Sequence, residues 1–174
     1  MKWRALAPLP LAALVATPAY AADYLTVAQA QAEFFPGQTL VQVPVTVDDA
    51  LADALLERSG VHERFDAGQV WRSPQGGFFV VDHVVGKHET ITFAVALDAH
   101  GAVKGVEILS YRETYGYEVR DASWRRQFVG KTSHDPVKLG EDIRNVSGAT
   151  LSCKHVTQGV KRVLALYDLV LAKL

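Results

Sequence analysis

The residues with the clearest capacity for chemistry form a four-residue segment, Ser147-Gly148-Ala149-Thr150, directly before an amphipathic helical pattern. The first turn of a helix has backbone N–H groups without intrahelical partners and carries the positive end of the helix dipole. A phosphate held there gains roughly 0.3 to 2 kcal/mol from the dipole alone, and Gly148 lets the backbone approach it closely. The 147–150 segment therefore indicates a local anion site.

The 147–150 segment also has a plainer interpretation, in which Ser147 only caps the helix and Thr150 is an ordinary first-turn residue. On spacing alone this interpretation is favoured, because capped helix starts are common. The acidic residue Asp142 upstream and the regular helix downstream shift the balance toward an anion site.

Cysteine and histidine offer little further chemistry. The chain has one cysteine, Cys153, so it cannot form an internal disulfide. Cys153 follows Thr150 by about one helical turn on the apolar side, which predicts a buried packing thiol rather than a nucleophile. The histidines lack the i, i+4 pairing of a helical metal site, and we expect most of them at the surface. They stand at positions 62, 83, 88, 100, 134 and 155.

The helix that must position Thr150 shows an unbroken apolar stripe with alternating steps of four and three residues. The stripe predicts a long C-terminal helix with one buried face. It consists of Ala149, Cys153, Val156, Val160, Val163, Tyr167, Val170 and Leu174. The basic residues predicted to lie off the stripe are Lys154, Lys161, Arg162 and Lys173.

Three β-rich runs precede this helix, at residues 78–85, 89–97 and 103–111. The turns between them, at Gly86-Lys87 and at residues 98–101, predict an antiparallel meander. In the middle run large apolar residues alternate with small ones, so we expect helices to cover one face of the sheet.

The first third of the chain carries weaker patterns. Residues 28–34 predict a short helix, and residues 39–47 an alternating strand that Pro44 confines to a sheet edge. A further helix is expected to open at residues 48–49 and to end at Gly60. The fold class is α+β, a curved antiparallel sheet packed against the long C-terminal helix. Residues 22–76 are expected to form a short N-terminal α/β extension of unassigned role, such as a lid.

The start of the chain predicts export. Lys2 and Arg4 precede a short apolar run, and Ala19-Tyr20-Ala21 fits a cleavage site, so residues 1–21 are interpreted as a signal peptide. The mature protein is expected in the periplasm or secreted, and not transmembrane after cleavage. With a formal net charge of -1, no global field draws it to nucleic acid or to an anionic membrane.

Several motifs in the second half of the chain occur in a recognisable order. Glu113-Thr114-Tyr115-Gly116 follows a β-rich run, then come Trp124 and Gln127-Phe128-Val129-Gly130-Lys131, then Asp142 and the 147–150 segment. In this order they resemble the FMN-binding domain family, in particular domains similar to the C and G subunits of the sodium-pumping NADH:quinone reductase and the related electron-transport complex. The resemblance covers about residues 85–174. Together with the β-rich pattern that begins at Gly77, it predicts an FMN-binding domain at residues 77–174.

The resemblance implies roles for individual residues. The Thr150 hydroxyl would receive FMN from FAD through a phosphoester bond made by a magnesium-dependent flavin transferase, with Asp142 as a recognition or metal-facing residue for that enzyme. Glu113, Thr114 and Gly116 would form the loop that meets the isoalloxazine ring; for Glu113 a solvated turn carboxylate is the alternative. Lys131 is a candidate point charge for the phosphate, or else a solvated lysine. The remaining cofactor-binding candidates are Ser147, Gly148 and Ala149.

The implied function is that of an exported flavoprotein that carries electrons, rather than a stand-alone enzyme. Its expected partners are the flavin transferase and a membrane-bound or periplasmic redox protein. The alternative is an accessory module of the cell envelope that has no redox role, holding no flavin, another anion, or FMN without a covalent bond.

Overall fold

The computed structural model describes residues 22–174, and the predicted signal peptide, residues 1–21, lies outside this described part. The described elements are β1 (Ala22–Asp23), α1 (Val27–Phe34), β2 (Val41–Gln42), α2 (Asp49–Ser59), β3 (Val70–Arg72), β4 (Phe78–Val85), β5 (Thr90–Leu97), β6 (Val103–Tyr111), α3 (Ala122–Arg125) and α4 (Thr150–Leu169). Short 3-10 helices lie at Tyr117–Arg120, Arg126–Phe128 and Leu171–Lys173. Among the helices of residues 22–174, none combines the length and apolar character that a bilayer span requires.

The strands form one antiparallel sheet in the order β1-β6-β5-β4-β3-β2. The predicted meander is confirmed, because β4, β5 and β6 are sequential neighbours, and β5 begins one residue later than predicted. The long helix α4 packs against this sheet, which confirms the α+β class.

Residues before Gly77 contribute to the same sheet. β1 pairs with β6 at one edge, while β3 and then β2 extend the other edge beyond β4. The predicted strand at residues 39–47 is wrong in length, since the structure has a strand only at Val41–Gln42. Val43 adds one bond from its N–H to the Val70 carbonyl, and pairing stops at Pro44, which has no N–H to donate.

Local signals fix the boundaries of α1 and α2. Thr26 and Gln29 form a capping box at the start of α1. Asp48 caps α2 by accepting from the Leu51 N–H. The helix ends at Gly60, as predicted, and Gly60 has the left-handed conformation.

The two faces of the sheet carry different helices. The large residues of β5, including Phe93, face α4, and a Cβ built on Gly159 would lie 2.4 Å from the Phe93 ring. On the opposite face α1 packs over a smaller cluster that includes Phe79 and Ala94. The expected helical cover of the large-residue face is therefore confirmed.

Arg162 corrects the prediction that the basic residues of α4 lie off its buried side. Its side chain is 1% exposed and makes a bidentate pair with Asp82 on β4, from Nη2 to Oδ1 at 2.6 Å and from Nε to Oδ2 at 2.8 Å. It also donates to the carbonyls of Glu63 and His83. Since α2 and the chain after it pack on a second side of α4, the helix buries more than one stripe.

Loss of this buried pair is expected to destabilise the fold strongly. Arg162→Ala leaves the Asp82 carboxylate buried without its cation, which costs about 3–5 kcal/mol of unfolding free energy. The control is Arg58→Ala, which breaks the Arg58–Asp168 pair between α2 and α4, where both side chains are about two-fifths exposed. That variant should lose only about 0–1 kcal/mol. Urea unfolding measures both, and equal losses would contradict the assigned role of Arg162.

Candidate functional site

A cleft of about 340 Å³ lies where the loop after β6 meets the start of α4. Its volume falls at the lower end of the range of small-molecule sites. The cleft brings together five of the predicted site residues, Glu113, Thr114, Gly148, Ala149 and Thr150. Its other lining residues are Lys87, His88, Tyr115, Leu151 and Ser152. We call it the Thr150 cleft.

The start of α4 differs from a conventional capped helix. The N-cap residue is Ala149 rather than Ser147, and within the described residues no side chain caps this end. Gly148 has a φ of 88°, a left-handed conformation that turns the chain into the helix after Ser147. The interpretation of Ser147 as a cap is therefore wrong. Because alanine has no side-chain oxygen, the first-turn N–H groups remain available to an anion.

Thr150 presents its hydroxyl at the surface of the cleft. The residue is exposed, and its Oγ1 accepts a hydrogen bond from Asn145 Nδ2 at 2.9 Å. An amide donor on the oxygen fixes the position of the hydroxyl and leaves the hydroxyl proton to be given up. Asn145 is a residue that sequence reasoning missed, because its relation to Thr150 depends on the turn at Gly148.

Glu113 fastens the β4–β5 turn to the cleft. Its Oε1 accepts from the backbone N–H groups of His88 at 2.5 Å and Glu89 at 2.9 Å. Burial acts to raise the pKa of Glu113, but these backbone donors outweigh it and hold the pKa below its ordinary value. Glu113 is thus not merely a solvated turn residue, since it holds Lys87 and His88 at the rim.

Gly116 and Tyr111 join the loop after β6 to α4. The Tyr111 hydroxyl donates to the Tyr115 carbonyl at 2.5 Å and lies 2.8 Å from Ser152 Oγ. Gly116 has a φ of 87°, and a Cβ built on it would lie 2.8 Å from both Ser152 Oγ and the Tyr111 hydroxyl. Only glycine fits this close approach, so Gly116 shapes the cleft without lining it.

Lys131 and Asp142 lie away from the Thr150 cleft. Their side chains pair at 2.9 Å, and Asp142 also accepts from the Lys138 N–H at 2.7 Å. The Lys131 carbonyl accepts from the N–H of Val103, at the end of β6 opposite Tyr111 and thus about 26 Å along the strand. The structure therefore does not bring Lys131 to the position expected for the phosphate.

The Trp124 and Gln127 motif supports the approach to the 147–150 segment. Trp124 Nε1 donates to the Arg144 carbonyl at 2.8 Å, and Gln127 Oε1 accepts from the Arg144 N–H at 2.9 Å. These bonds fix the backbone three residues before Ser147, which is itself exposed outside the cleft lining.

Cys153 and the histidines are the other side chains that the sequence marks as potentially reactive. Cys153 is fully buried, and burial raises the pKa of its thiol, which confirms a packing role. Over residues 22–174 no group of three or more His, Cys, Asp or Glu side chains is arranged to hold a metal ion. His155 is half-buried, and its Nδ1 lies 3.0 Å from the Gly86 carbonyl.

Several cleft residues carried no signal that marked them as functional. Lys87 belongs to the predicted turn at Gly86-Lys87, His88 is one of the histidines expected mostly at the surface, and Leu151 belongs to the helical pattern. Lys87 places a positive charge at the cleft, the role for which Lys131 was the predicted candidate. Its contribution depends on Glu113 holding a turn that lies 24 to 25 residues earlier in the chain.

Comparison with known protein families identifies the same region. Residues 86–165 match the family model of the FMN-binding domain. The matched range runs from the β4–β5 turn through the loop after β6 and into α4, so it includes every lining residue of the Thr150 cleft. It supports a flavin-binding protein with FMN as its cofactor. No curated protein matches the chain.

A pair of glycine substitutions tests the contact between the loop and α4. Gly130 has a φ of 82° but nothing within 4 Å of an added Cβ, so Gly130→Ala should cost only the conformational strain, about 1–2 kcal/mol. Gly116→Ala adds overlap with Ser152 and Tyr111 and should cost about 1–3 kcal/mol more. Urea unfolding compares them; equal losses would show that Gly116 does not make a tight contact.

The Glu113 bonds predict a pH dependence of stability. Because the folded-state pKa lies below the unfolded value of about 4.3, the stabilisation is fully present above that value. It is lost as the pH falls through the folded pKa. Glu113→Gln should therefore be less stable than the wild type at neutral pH, and the difference should shrink in acid. A difference in unfolding free energy that stays constant from neutral pH to pH 3 would contradict this assignment.

Proposed function

We propose that this protein is an exported electron carrier in which FMN is attached through a phosphoester bond to Thr150. The observation that carries the proposal is the exposed Thr150 hydroxyl at an uncapped helix start, on the wall of a ligand-sized cleft inside the FMN-binding match.

The attachment is a phosphoryl transfer from FAD. Thr150 Oγ forms a bond to the phosphorus on the FMN side of the FAD pyrophosphate, the bond from that phosphorus to the bridging oxygen breaks, and AMP leaves. The hydroxyl proton passes to a base of the magnesium-dependent flavin transferase, and no electrons are transferred. Because Thr150 is exposed, the side chain is accessible to a second protein.

The residues around Thr150 fit a phosphate and a flavin ring. The first-turn N–H groups of α4 favour the phosphate, and Lys87 adds a positive charge on the cleft. There is also room for the phosphate beside Gly148, since the nearest atom to a Cβ built on Gly148 is Glu118 Oε1 at 4.0 Å. Both turn bonds of Glu113 end on Oε1, so its second carboxylate oxygen is left to meet a donor at the edge of a ring.

FMN supplies reversible transfer of one or two electrons, while the fold sets its potential and access. The chain then needs no substrate site of its own and acts as a carrier rather than a stand-alone enzyme. Its proposed partners are the flavin transferase and a membrane-bound or periplasmic redox protein, as for the C and G subunits that its motifs resemble. Export by residues 1–21 explains the covalent bond, because outside the cytoplasm a dissociated cofactor would be lost.

Intact mass tests the attachment and its position. After co-expression with a flavin transferase, the mature wild type is expected to gain the mass of FMN minus water. Thr150→Val removes the hydroxyl while nearly preserving shape, and should gain nothing. Thr150→Ser restores a hydroxyl at the same backbone position and should again be modified, at least in part.

The outcomes separate the alternatives. A modified Thr150→Val protein would place the bond on another residue. An unmodified wild type that is yellow when folded, and loses its colour on denaturation, would show noncovalent FMN instead. A colourless wild type would leave the non-redox accessory module as the better interpretation. Circular dichroism of Thr150→Val confirms that the variant is folded, as expected for an exposed position.

A further inference from the structure

Two exposed apolar side chains stand at the Thr150 cleft, one from the loop after β6 and one from the start of α4. Tyr115, in the loop after β6, is 81% exposed, and Leu151, in the first turn of α4, is 44% exposed. Single exposed apolar side chains are normal on protein surfaces. Here, however, both line the same small cleft as Thr150.

The backbone that carries Tyr115 is held firmly although its ring is exposed. Its carbonyl accepts from the Tyr111 hydroxyl, and the next residue, Gly116, packs against Ala149 and Ser152. The ring is therefore attached to a fixed backbone beside the helix start. Tyr117, two residues later, is 58% exposed but does not line the cleft.

We propose that the Tyr115 ring stacks on the isoalloxazine ring of FMN bound at Thr150, with Leu151 contacting the flavin from the helix side. The inference rests on the proposed function, because the bond at Thr150 would tether the flavin beside this cleft. Aromatic rings favour offset stacking, which buries apolar area on both partners. In this position the Tyr115 ring shields one face of the flavin from water.

A stacked phenol has a measurable photophysical consequence. On excitation of the flavin an electron passes from the phenol to the ring and then returns, so fluorescence is quenched without net oxidation. Phenylalanine has the same ring shape but is a poor electron donor. Tyr115→Phe therefore keeps the stacking and removes the quenching, whereas Tyr115→Ala removes both.

The experiment compares wild type, Tyr115→Phe, Tyr115→Ala and the control Tyr117→Phe, each loaded by the transferase and freed of unbound flavin. Fluorescence is measured per covalent flavin, together with quenching by iodide as a probe of solvent access. Tyr115→Phe should raise fluorescence severalfold with iodide access unchanged. Tyr115→Ala should raise both, and Tyr117→Phe should change neither.

Equal fluorescence of loaded wild type and Tyr115→Phe would overturn the stacking and leave the attachment at Thr150 intact. The same rise in Tyr117→Phe as in Tyr115→Phe would also overturn it, because the effect would not be specific to the cleft. A wild type without covalent flavin mass would refute the proposed function, and the stacking with it. Failure of the two proposals is thus distinguishable.

Discussion

The Tyr111 hydroxyl joins two of the three parts of the chain that form the Thr150 cleft, the loop after β6 and the start of α4. Tyr111 is the last residue of β6. Its hydroxyl contacts both the Tyr115 carbonyl in the following loop and the Ser152 hydroxyl in the first turn of α4. Burial raises the pKa of this phenol, so it remains a donor at neutral pH. Because Gly116 has no side chain, the loop can approach the helix closely enough for these bonds. The space beside Thr150 depends on this contact.

Other long-range contacts hold α4 and the rim of the cleft against the sheet. Arg162 anchors the middle of the helix to Asp82 on β4, and His155 lies against the Gly86 carbonyl at the turn that follows β4. Glu113 holds the same turn from the other side. The cleft is thus built from loops attached to a strand inside the sheet and to a long helix, an arrangement that keeps a cofactor site rigid. Thr150 itself stays exposed, as the proposed attachment by another enzyme requires.

Much of the fold follows from local patterns in the sequence. The meander and α4 were predictable because periods of two and of 3.6 residues persist over whole elements, and Asp48 and Gly60 mark the limits of α2 by their capping chemistry. Arg162 was not predictable, since its partner Asp82 lies 80 residues away and α2 covers a second side of the helix. The start of α4 was misjudged at Ser147 because the left-handed Gly148 shifts the N-cap to Ala149.

The candidate site was predictable in its motifs and less so in its arrangement. The Glu113 loop and the 147–150 segment do meet, as the resemblance implied, and the family match covers both. Lys131 was a candidate for the phosphate because it ends the Gln127-to-Lys131 motif. The order of motifs along the chain does not show which of them lie close together in the fold. The structure pairs Lys131 with Asp142 near the far end of β6 and places Lys87 at the cleft instead.

The central claim is a phosphodiester on the Thr150 side chain, and phosphorus NMR of the flavin-loaded protein tests it most directly. The protein is desalted while folded, which removes free flavin. It is then denatured without a further separation step, so that any noncovalently bound FMN stays in the sample. A diester has no titratable proton near neutrality, so its ³¹P shift should stay constant from pH 5 to pH 8, whereas a phosphate monoester titrates with a pKa of about 6. A constant shift from one phosphorus per chain is the predicted result. A signal that titrates near pH 6, or no phosphorus signal at all, would contradict the account.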